Sequence, residues 1–178
     1  MSVLTMKYIC ITLAVVGISC PLVQAEPGIC LTPGDLKRMD KGQLDGVFSE
    51  GKVGVTPCGS GRGKVLLLTD GRMPGVRALF MGTVWKGKYF YPGGCTFTNQ
   101  WLGFKAVSAD VDVGPSWADG APCLLLDYPT TAAVFGNTRD ELREIGEGLF
   151  LGRFYDRCPC PKLKGYFVLD FKKKCDCK

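Results

Sequence analysis

The chain has 178 residues, of which 46% are hydrophobic, and it carries a formal net charge of +5. This length suits one domain with its own core, and a charge excess this small does not indicate nucleic-acid binding. The chain contains ten cysteines and no histidine, so it lacks the side chain most used in acid-base, nucleophile-activating and metal chemistry near neutral pH.

Residues 1–25 have the pattern of a cleaved secretory signal peptide. Lys7 precedes the apolar run Tyr8 to Ser19, and Val23 and Ala25 supply the small residues needed for cleavage after Ala25. The run is shorter than the roughly 20 apolar residues of a membrane span. We therefore expect a secreted or periplasmic protein with no stable membrane anchor, whose residues 26–178 form one domain. A lipid anchor on Cys20 is disfavoured, because Gly17 stands where a lipobox has an apolar residue such as leucine.

Residues 31–50 predict one or two short helices at the start of the domain. Thr32 and Pro33 are typical of a helix N-terminus, and the apolar residues that follow are interrupted by glycines. Beyond this region, clusters of Gly, Pro and Asp separate short apolar segments, which is the texture of strands and turns.

Seven segments have the composition and length of strands. The clearest alternates apolar and polar residues from Val107 to Val113, which predicts one buried and one solvated face. The segments are Lys64 to Thr69, Val76 to Phe80, Lys88 to Tyr91, Phe104 to Val113, Cys123 to Tyr128, Leu149 to Tyr155 and Tyr166 to Phe171.

The segment Arg139 to Ile145 is compatible with a helix or a strand. As a helix it places Leu142 and Ile145 on one face; as a strand it precedes the turn residues Gly146 to Gly148. We favour the strand, paired in a hairpin with Leu149 to Tyr155.

Seven or eight short antiparallel strands without helical crossovers predict an all-β closed barrel or a sandwich. A barrel leaves no free strand edge, and about eight strands enclose enough space for one small ligand. We therefore predict an antiparallel barrel of about eight strands, preceded by the short helices.

The segment Gly82 to Phe90 reads Gly-Thr-Val-Trp-Lys-Gly-Lys-Tyr-Phe. It resembles the Gly-x-Trp-x-Gly-Lys-x-Phe signature of small lipocalin-like, calycin-type barrel proteins, with one extra residue before the tryptophan. Four later segments follow in the order found in such a family: Ser116 to Gly120, Leu126 to Tyr128, Arg139 to Glu144 and Gly148 to Gly152. The resemblance implies a lipocalin-like barrel and no particular reaction.

The same resemblance implies that Trp85 and Lys88 border a ligand cavity. Lys88 would then supply either a charge for a ligand carboxylate or only an aliphatic stem. The alternative is that Trp85 is an ordinary core tryptophan in a bent hairpin. Trp101, Trp117 and Tyr128 are further candidates for the rim and lining of the barrel.

A group of charged residues is the other candidate for ligand contact. If Arg139 or Arg143 points into the barrel, it would neutralise Asp127, and Glu141 would lie beside a bound molecule. The competing interpretation is a charged outer face with solvated ion pairs, which are common and contribute little stability.

Catalytic chemistry has weak support in the sequence. Ser116 lacks both a histidine and the elbow motif of serine hydrolases, so we assign no catalytic residue, cofactor or metal. A hydrolase that uses two carboxylates is still possible. Its candidate pairs would come from Asp119, Asp127, Asp140, Glu141 and Glu144, but linear spacing does not fix their separation.

Eight cysteines follow the predicted signal peptide, an even number typical of a disulfide framework in an exported protein. Two C-x-C pairs, Cys158 with Cys160 and Cys175 with Cys177, are more readily explained by disulfides between the pairs than by a zinc site. We predict that the remaining four pair as Cys30 with Cys58 and Cys95 with Cys123.

These observations together predict a secreted barrel that binds a small apolar or amphipathic, lipid-like molecule. The alternatives are a secreted carboxylate-dependent hydrolase and a solid barrel whose loops bind another protein. The sequence leaves the oligomeric state and the identity of the ligand open.

Overall fold

The computed structural model describes residues 30–69, 84–129 and 135–171. The predicted signal peptide, the predicted strand Val76 to Phe80, and Cys175 and Cys177 lie outside these ranges. Within them, no helix is both long and apolar enough to cross a membrane.

Two short helices begin the described chain, as predicted. Helix α1 spans Pro33–Leu36 and helix α2 spans Lys41–Glu50. Each begins with a capping box, in which Thr32 pairs with Asp35 and Asp40 pairs with Gln43. These reciprocal hydrogen bonds satisfy backbone N–H groups that have no partner within the first turn of a helix.

Eight antiparallel strands follow and form a closed barrel in which each strand pairs with its neighbours in sequence and β8 pairs with β1. This confirms the predicted all-β barrel of about eight strands. The strands are β1 (Gly59–Leu68), β2 (Trp85–Phe90), β3 (Thr96–Trp101), β4 (Phe104–Pro115), β5 (Pro122–Asp127), β6 (Thr138–Gly146), β7 (Leu149–Asp156) and β8 (Lys162–Asp170).

The ambiguous segment from Arg139 to Ile145 lies in β6, and it pairs with β7 across the predicted turn. The hairpin interpretation is therefore confirmed. Strand β3 was not predicted, because the polar residues of Thr-Phe-Thr-Asn-Gln-Trp obscure the alternation of Phe97, Asn99 and Trp101.

The barrel has a hydrophobic cluster on each face of its sheet. The inner cluster is rich in aromatic rings, and the outer cluster joins Leu36, Leu44 and Phe48 of the helices to the outward side chains of β7 and β8. Glycine makes room for the inner rings. A Cβ atom at Gly152 would lie 2.3 Å from the ring of Phe167, well inside van der Waals contact.

The two ends of the barrel differ in the strands that finish there. At one end, β1, β3, β5 and β7 finish and the even-numbered strands begin. This end is called here the cavity end, because a small cavity lies inside it. At the opposite end, Phe90, Phe150 and Phe171 pack edge to face inside the barrel. These three rings fill the opposite end of the interior.

The predicted disulfide pairings are not present in the structure. Cys30, Cys95, Cys123, Cys158 and Cys160 are free thiols, and Cys58 forms a disulfide whose partner lies outside the described residues. Cys58 is therefore not paired with Cys30, and the second C-x-C pair, Cys175 and Cys177, lies outside the described residues.

Geometry excludes the remaining predicted pairing. The carbonyl of Cys95 accepts from Val111 on one side of β4, whereas Cys123 pairs with Gly114 on the other side of β4. Two strand spacings of about 4.8 Å already exceed the roughly 7 Å that a disulfide allows between Cα atoms.

Candidate functional site

Lys88 lies inside the barrel although it is charged, and only 2% of its surface is exposed. The pairing of β2 with β3 shifts between Trp85 and Gly87, so Trp85 and Lys88 both point inward although they are an odd number of positions apart in the strand. Gly87 has a φ of 128°, and a Cβ there would lie 2.0 Å from the carbonyl oxygen of Gly61. Only glycine therefore fits this bulge.

Three acceptors surround the Lys88 ammonium. Its Nζ lies 2.5 Å from the Tyr128 hydroxyl, 3.0 Å from Asn99 Oδ1 and 2.8 Å from Asp140 Oδ2. An ammonium group has three protons to donate. The three contacts therefore satisfy the charge in an interior where an unpaired ammonium would be very costly.

The partners of Lys88 are also bonded to one another. The Asn99 amide donates to the Tyr128 hydroxyl over 3.0 Å, and that hydroxyl donates to Asp140 Oδ2 over 3.2 Å. The indole N–H of Trp85 donates to Asn99 Oδ1 over 3.1 Å. The five residues form one hydrogen-bonded group, called here the interior polar cluster.

Burial shifts the titration of two members of this cluster. Loss of solvation lowers the pKa of Lys88, and the nearby Asp140 carboxylate opposes that shift. Loss of solvation and the same carboxylate raise the pKa of Tyr128 well above its usual value. The cluster therefore contains an amine that releases its proton more readily than usual, beside a phenol that retains its own.

Aromatic rings enclose the ammonium of Lys88. Its Nζ lies 4.6 Å from the centroid of Phe97, 5.2 Å from Tyr128, 5.5 Å from Phe167 and 5.9 Å from Trp85. Ring faces at such distances attract a cation. The same rings form flat, apolar walls beside the polar groups.

A small cavity adjoins the interior polar cluster on the side of the cavity end. Its volume is about 30 Å³, which corresponds to roughly two water-sized groups. Besides the cluster, its lining consists of the rings Phe135, Phe154 and Phe167 and the polar residues Thr138, Asp156 and Lys164. A lipid enclosed inside the barrel, as in a lipocalin, needs about 300 Å³ or more.

One residue beside the cluster has a strained backbone. Val107 has a φ of 64°, which is rare for a β-branched side chain. It lies at an irregularity in the pairing of β3 with β4, and its carbonyl oxygen accepts from the Asn99 amide over 3.3 Å. The strained bulge thus fixes the orientation of Asn99.

Arg139, Glu141 and Arg143 point away from the barrel interior, so of the two interpretations of these charges the structure shows the outer face and not the inward arginine. Residues on one strand alternate between faces, and Leu142, which packs in the inner cluster, shares its face with Asp140. The inward carboxylate is thus Asp140, and it pairs with Lys88 rather than with an arginine.

These three outward residues also differ from the solvated ion pairs of the competing interpretation, because other side chains cover them. Glu141 accepts from the Ser116 hydroxyl over 2.5 Å and from the Trp117 backbone N–H over 2.8 Å, and it pairs with Arg139 at 3.0 Å. The guanidinium of Arg139 lies 4.1 Å from the Trp117 ring. The loop of residues 116–121 therefore covers this part of β6 and packs on its charges.

Arg143 connects this loop to helix α2. Its guanidinium forms two hydrogen bonds of 2.7 Å with Asp119 and also donates to the carbonyl oxygens of Phe48, Ala121 and Pro122. The hydrogen bonds between these two side chains lower the pKa of Asp119 and raise the pKa of Arg143. Arg139, Glu141 and Arg143, with Ser116, Trp117 and Asp119, are called here the outer charged cluster.

The other predicted site residues divide between the two faces. Trp85, Trp101 and Tyr128 are buried in the inner cluster, and the Trp101 ring lies 5.9 Å from the Phe135 ring, tilted by 32°, near the cavity end. Trp117 lies on the outer face, and Asp127 is exposed and paired with Arg157. Of the five candidate catalytic carboxylates, Asp140 is the one that lines the interior cavity.

The prediction missed Asn99 and the role of Asp140, although the sequence contains a signal for each. Asn99 lies two residues from Phe97 and two from Trp101, which places it on their buried face. Asp140 lies two residues from Leu142 in the same way. An alternation analysis of β3 and β6 would have found both residues.

Comparison with known proteins adds little to this description. No protein-family model matches the sequence, and no curated protein matches it significantly. Among solved structures, the crystal structure of a protein from Thermomonospora curvata is similar at 14% identity and a TM-score of 0.48, covering 76% of this chain and 89% of that one. The pairing of its own strands makes this chain a closed eight-stranded antiparallel barrel with a polar cluster in its interior.

Proposed function

We propose that the barrel binds a small, neutral, amphipathic molecule whose polar head group enters the cavity beside the interior polar cluster. The observation that supports this most is the position of Lys88, Asp140 and Tyr128, which border a cavity inside an otherwise aromatic core. A buried ion pair is seldom the most stable filling for a core, because apolar side chains of similar size do as well or better.

The charges of the cavity lining favour a neutral ligand. The charged residues that line it form two pairs: Lys88 with Asp140 at 2.8 Å and Lys164 with Asp156 at 3.5 Å. Each positive charge is matched by a negative one. A ligand carboxylate would therefore approach Asp140 as closely as Lys88, whereas an uncharged carbonyl or hydroxyl oxygen can replace one of the three acceptors of Lys88 without repulsion.

The size of the cavity favours a short head group. About 30 Å³ accepts a group of a few atoms, and the apolar remainder of the ligand would lie against Phe135 and Phe154 toward the cavity end. This restricts the predicted lipid-like ligand to a small amphipathic one. The signal-peptide pattern of residues 1–25 supports the proposal that the protein binds this ligand outside the cytoplasm.

Isothermal titration calorimetry tests the proposal with benzamide as the probe, compared with benzoate and palmitate. We expect benzamide to bind most tightly, because it has a neutral polar head and an aromatic body. Lys88→Met should weaken binding about tenfold to a hundredfold, as expected for loss of a hydrogen bond from a charged donor. The control Lys64→Met removes an exposed lysine from β1 and should bind benzamide normally.

Two results would count against the proposal. One is equal affinity of the Lys88→Met variant and the unmodified protein for benzamide, which would place the bound molecule elsewhere. The other is tighter binding of palmitate than of benzamide, which would require an interior space much larger than the cavity.

A further inference from the structure

We infer that Lys88 forms a reversible covalent imine with a small aldehyde that enters the cavity. This deepens the proposed function and rests on it, since the aldehyde must first bind as the polar head group of the ligand. The inference stands on three features of the interior: an enclosed amine, two proton-exchanging groups in contact with it, and open space beside it.

The amine and its neighbours have the geometry that imine formation needs. Nζ of Lys88 lies 2.5 Å from the Tyr128 hydroxyl and 2.8 Å from Asp140 Oδ2, both within direct proton-transfer distance. The nitrogen attacks only after losing one proton, and burial favours that loss by lowering the pKa of Lys88. Asp140 is the base that accepts this proton, either directly or through the Tyr128 hydroxyl, which donates to it, and the same route returns the proton to the departing oxygen.

The reaction balances within the site. The Lys88 ammonium and the aldehyde give a protonated imine and one water molecule. The carbon–nitrogen double bond forms as the carbon–oxygen double bond breaks, and the two protons lost by nitrogen leave with the carbonyl oxygen. No oxidant or reductant is involved, and the cavity of about 30 Å³ accepts the released water.

The product keeps the electrostatics of the interior unchanged. A protonated imine carries one positive charge on the same nitrogen, so its ion pair with Asp140 persists. The rings of Phe97 and Phe167, at 4.6 and 5.5 Å from that nitrogen, stabilise this cation as they stabilise the ammonium. An aldehyde fits better than a ketone, because the carbonyl carbon carries only one substituent in a confined space.

Reductive trapping with benzaldehyde and sodium cyanoborohydride tests the inference on the full chain. Intact mass spectrometry and peptide mapping should find one benzyl group at Lys88 before the exposed lysines are modified. Lys88→Arg should lose this modification. Lys64→Arg is the matched control, because it changes an exposed lysine of β1 and should leave the modification at Lys88 intact.

The outcomes separate the two proposals. Benzamide cannot form an imine, so its binding reports on the proposed function alone. If benzamide binds but benzaldehyde leaves Lys88 unmodified, the imine is excluded and the binding function stands. If neither binds, both fail. Peptide mapping of the protein without substitutions shows whether Lys88 reacts, even if the Lys88→Arg variant does not fold.

Discussion

Two groups of buried charges lie on opposite faces of the same sheet, and they differ in how their hydrogen bonds are used. In the outer charged cluster, Arg143 is 1% exposed and donates mainly to backbone carbonyl oxygens of helix α2 and the loop of residues 116–121. In the interior polar cluster, Lys88 is 2% exposed and bonds only to side chains, beside open space.

The difference separates structural charges from functional ones. Backbone carbonyl oxygens cannot be removed by mutation, so they accept from Arg143 for as long as the loop and helix stay in place. The side-chain partners of Lys88 are replaceable, and an apolar interior is an available alternative. A charge that holds no backbone group and borders a cavity is therefore the better candidate for ligand contact.

The largest expected effect comes from removing the arginine of the outer charged cluster. Arg143→Met should lower the free energy of unfolding by about 3 to 5 kcal/mol, because it removes the buried charged donor that Asp119 shares with the carbonyl oxygens of Phe48, Ala121 and Pro122. Urea denaturation measures this. The double variant Arg143→Met with Asp119→Leu should stay far less stable than the unmodified protein, since the hydrogen bonds from Arg143 to three carbonyl oxygens are still lost.

Arg38→Met is the matched control for this measurement. Arg38 pairs with Asp35 across one turn, and its side chain is 76% exposed. Its loss should change stability by less than about 1 kcal/mol. A double variant at 143 and 119 that recovers full stability would show that the backbone contacts of Arg143 contribute nothing.

The interior polar cluster should behave in the opposite way. Lys88→Met or Asp140→Leu alone should cost about 3 to 5 kcal/mol, because each leaves a buried charge unpaired. The double variant should return close to the stability of the unmodified protein, since Tyr128, Asn99 and Trp85 keep the bonds among themselves. If the double variant loses the sum of the two single losses, the ion pair is a structural element and the contrast between the clusters disappears.

A smaller effect tests how tightly the inner rings are packed. Gly152→Ala should destabilise the protein by about 1 to 3 kcal/mol, because the added methyl group overlaps the ring of Phe167. Gly46→Ala in helix α2 is the control: nothing lies within 4 Å of its Cβ position, and alanine should stabilise the helix by up to about 1 kcal/mol. The midpoint temperature of unfolding should fall for Gly152→Ala and rise for Gly46→Ala. A rise for both variants would mean that the interior has room for the methyl group.

The smallest effect concerns reactivity rather than stability. Burial, and then the nearby Glu141 carboxylate, raise the pKa of Cys123 to about 12, whereas Cys95 is exposed. Iodoacetamide at about pH 8.5 should therefore modify Cys95 in the native protein and leave Cys123 unmodified until urea is added. Because the unfolded thiol ionises near pH 9, Cys123 also makes the folded state less stable as pH rises from about 9 to 12. Rapid native modification of Cys123 would show that the loop of residues 116–121 opens.

Much of the fold was predictable because barrel strands and turns have local signals. The hairpin of β6 and β7 follows from the turn residues at 146 to 148, and the helices follow from their capping residues. The pairing of cysteines was not predictable, since it depends on which strands are neighbours and how far apart along them the cysteines lie.

The candidate site was predicted in part, for a similar reason. Trp85, Lys88 and Tyr128 were identified from the sequence, whereas Asn99 was not, and Asp140 was named only as a candidate catalytic carboxylate. The side of the sheet that a charged residue faces depends on strand register, and a shift of one residue reverses it. Arg139 and Arg143 were considered as inward residues for that reason, although Leu142 between them marks the inner face.

The central claim is that the interior polar cluster, and not the outer charged cluster, binds a ligand. The three tryptophans test this directly, because ¹H–¹⁵N spectra give one indole signal for each. Trp85 belongs to the interior polar cluster and Trp117 to the outer charged cluster. On titration with benzamide, we predict a saturable shift of the Trp85 signal, no shift of the Trp117 signal, and no response in the double variant Lys88→Met with Asp140→Leu. A shift of Trp117 without a shift of Trp85 would contradict the account.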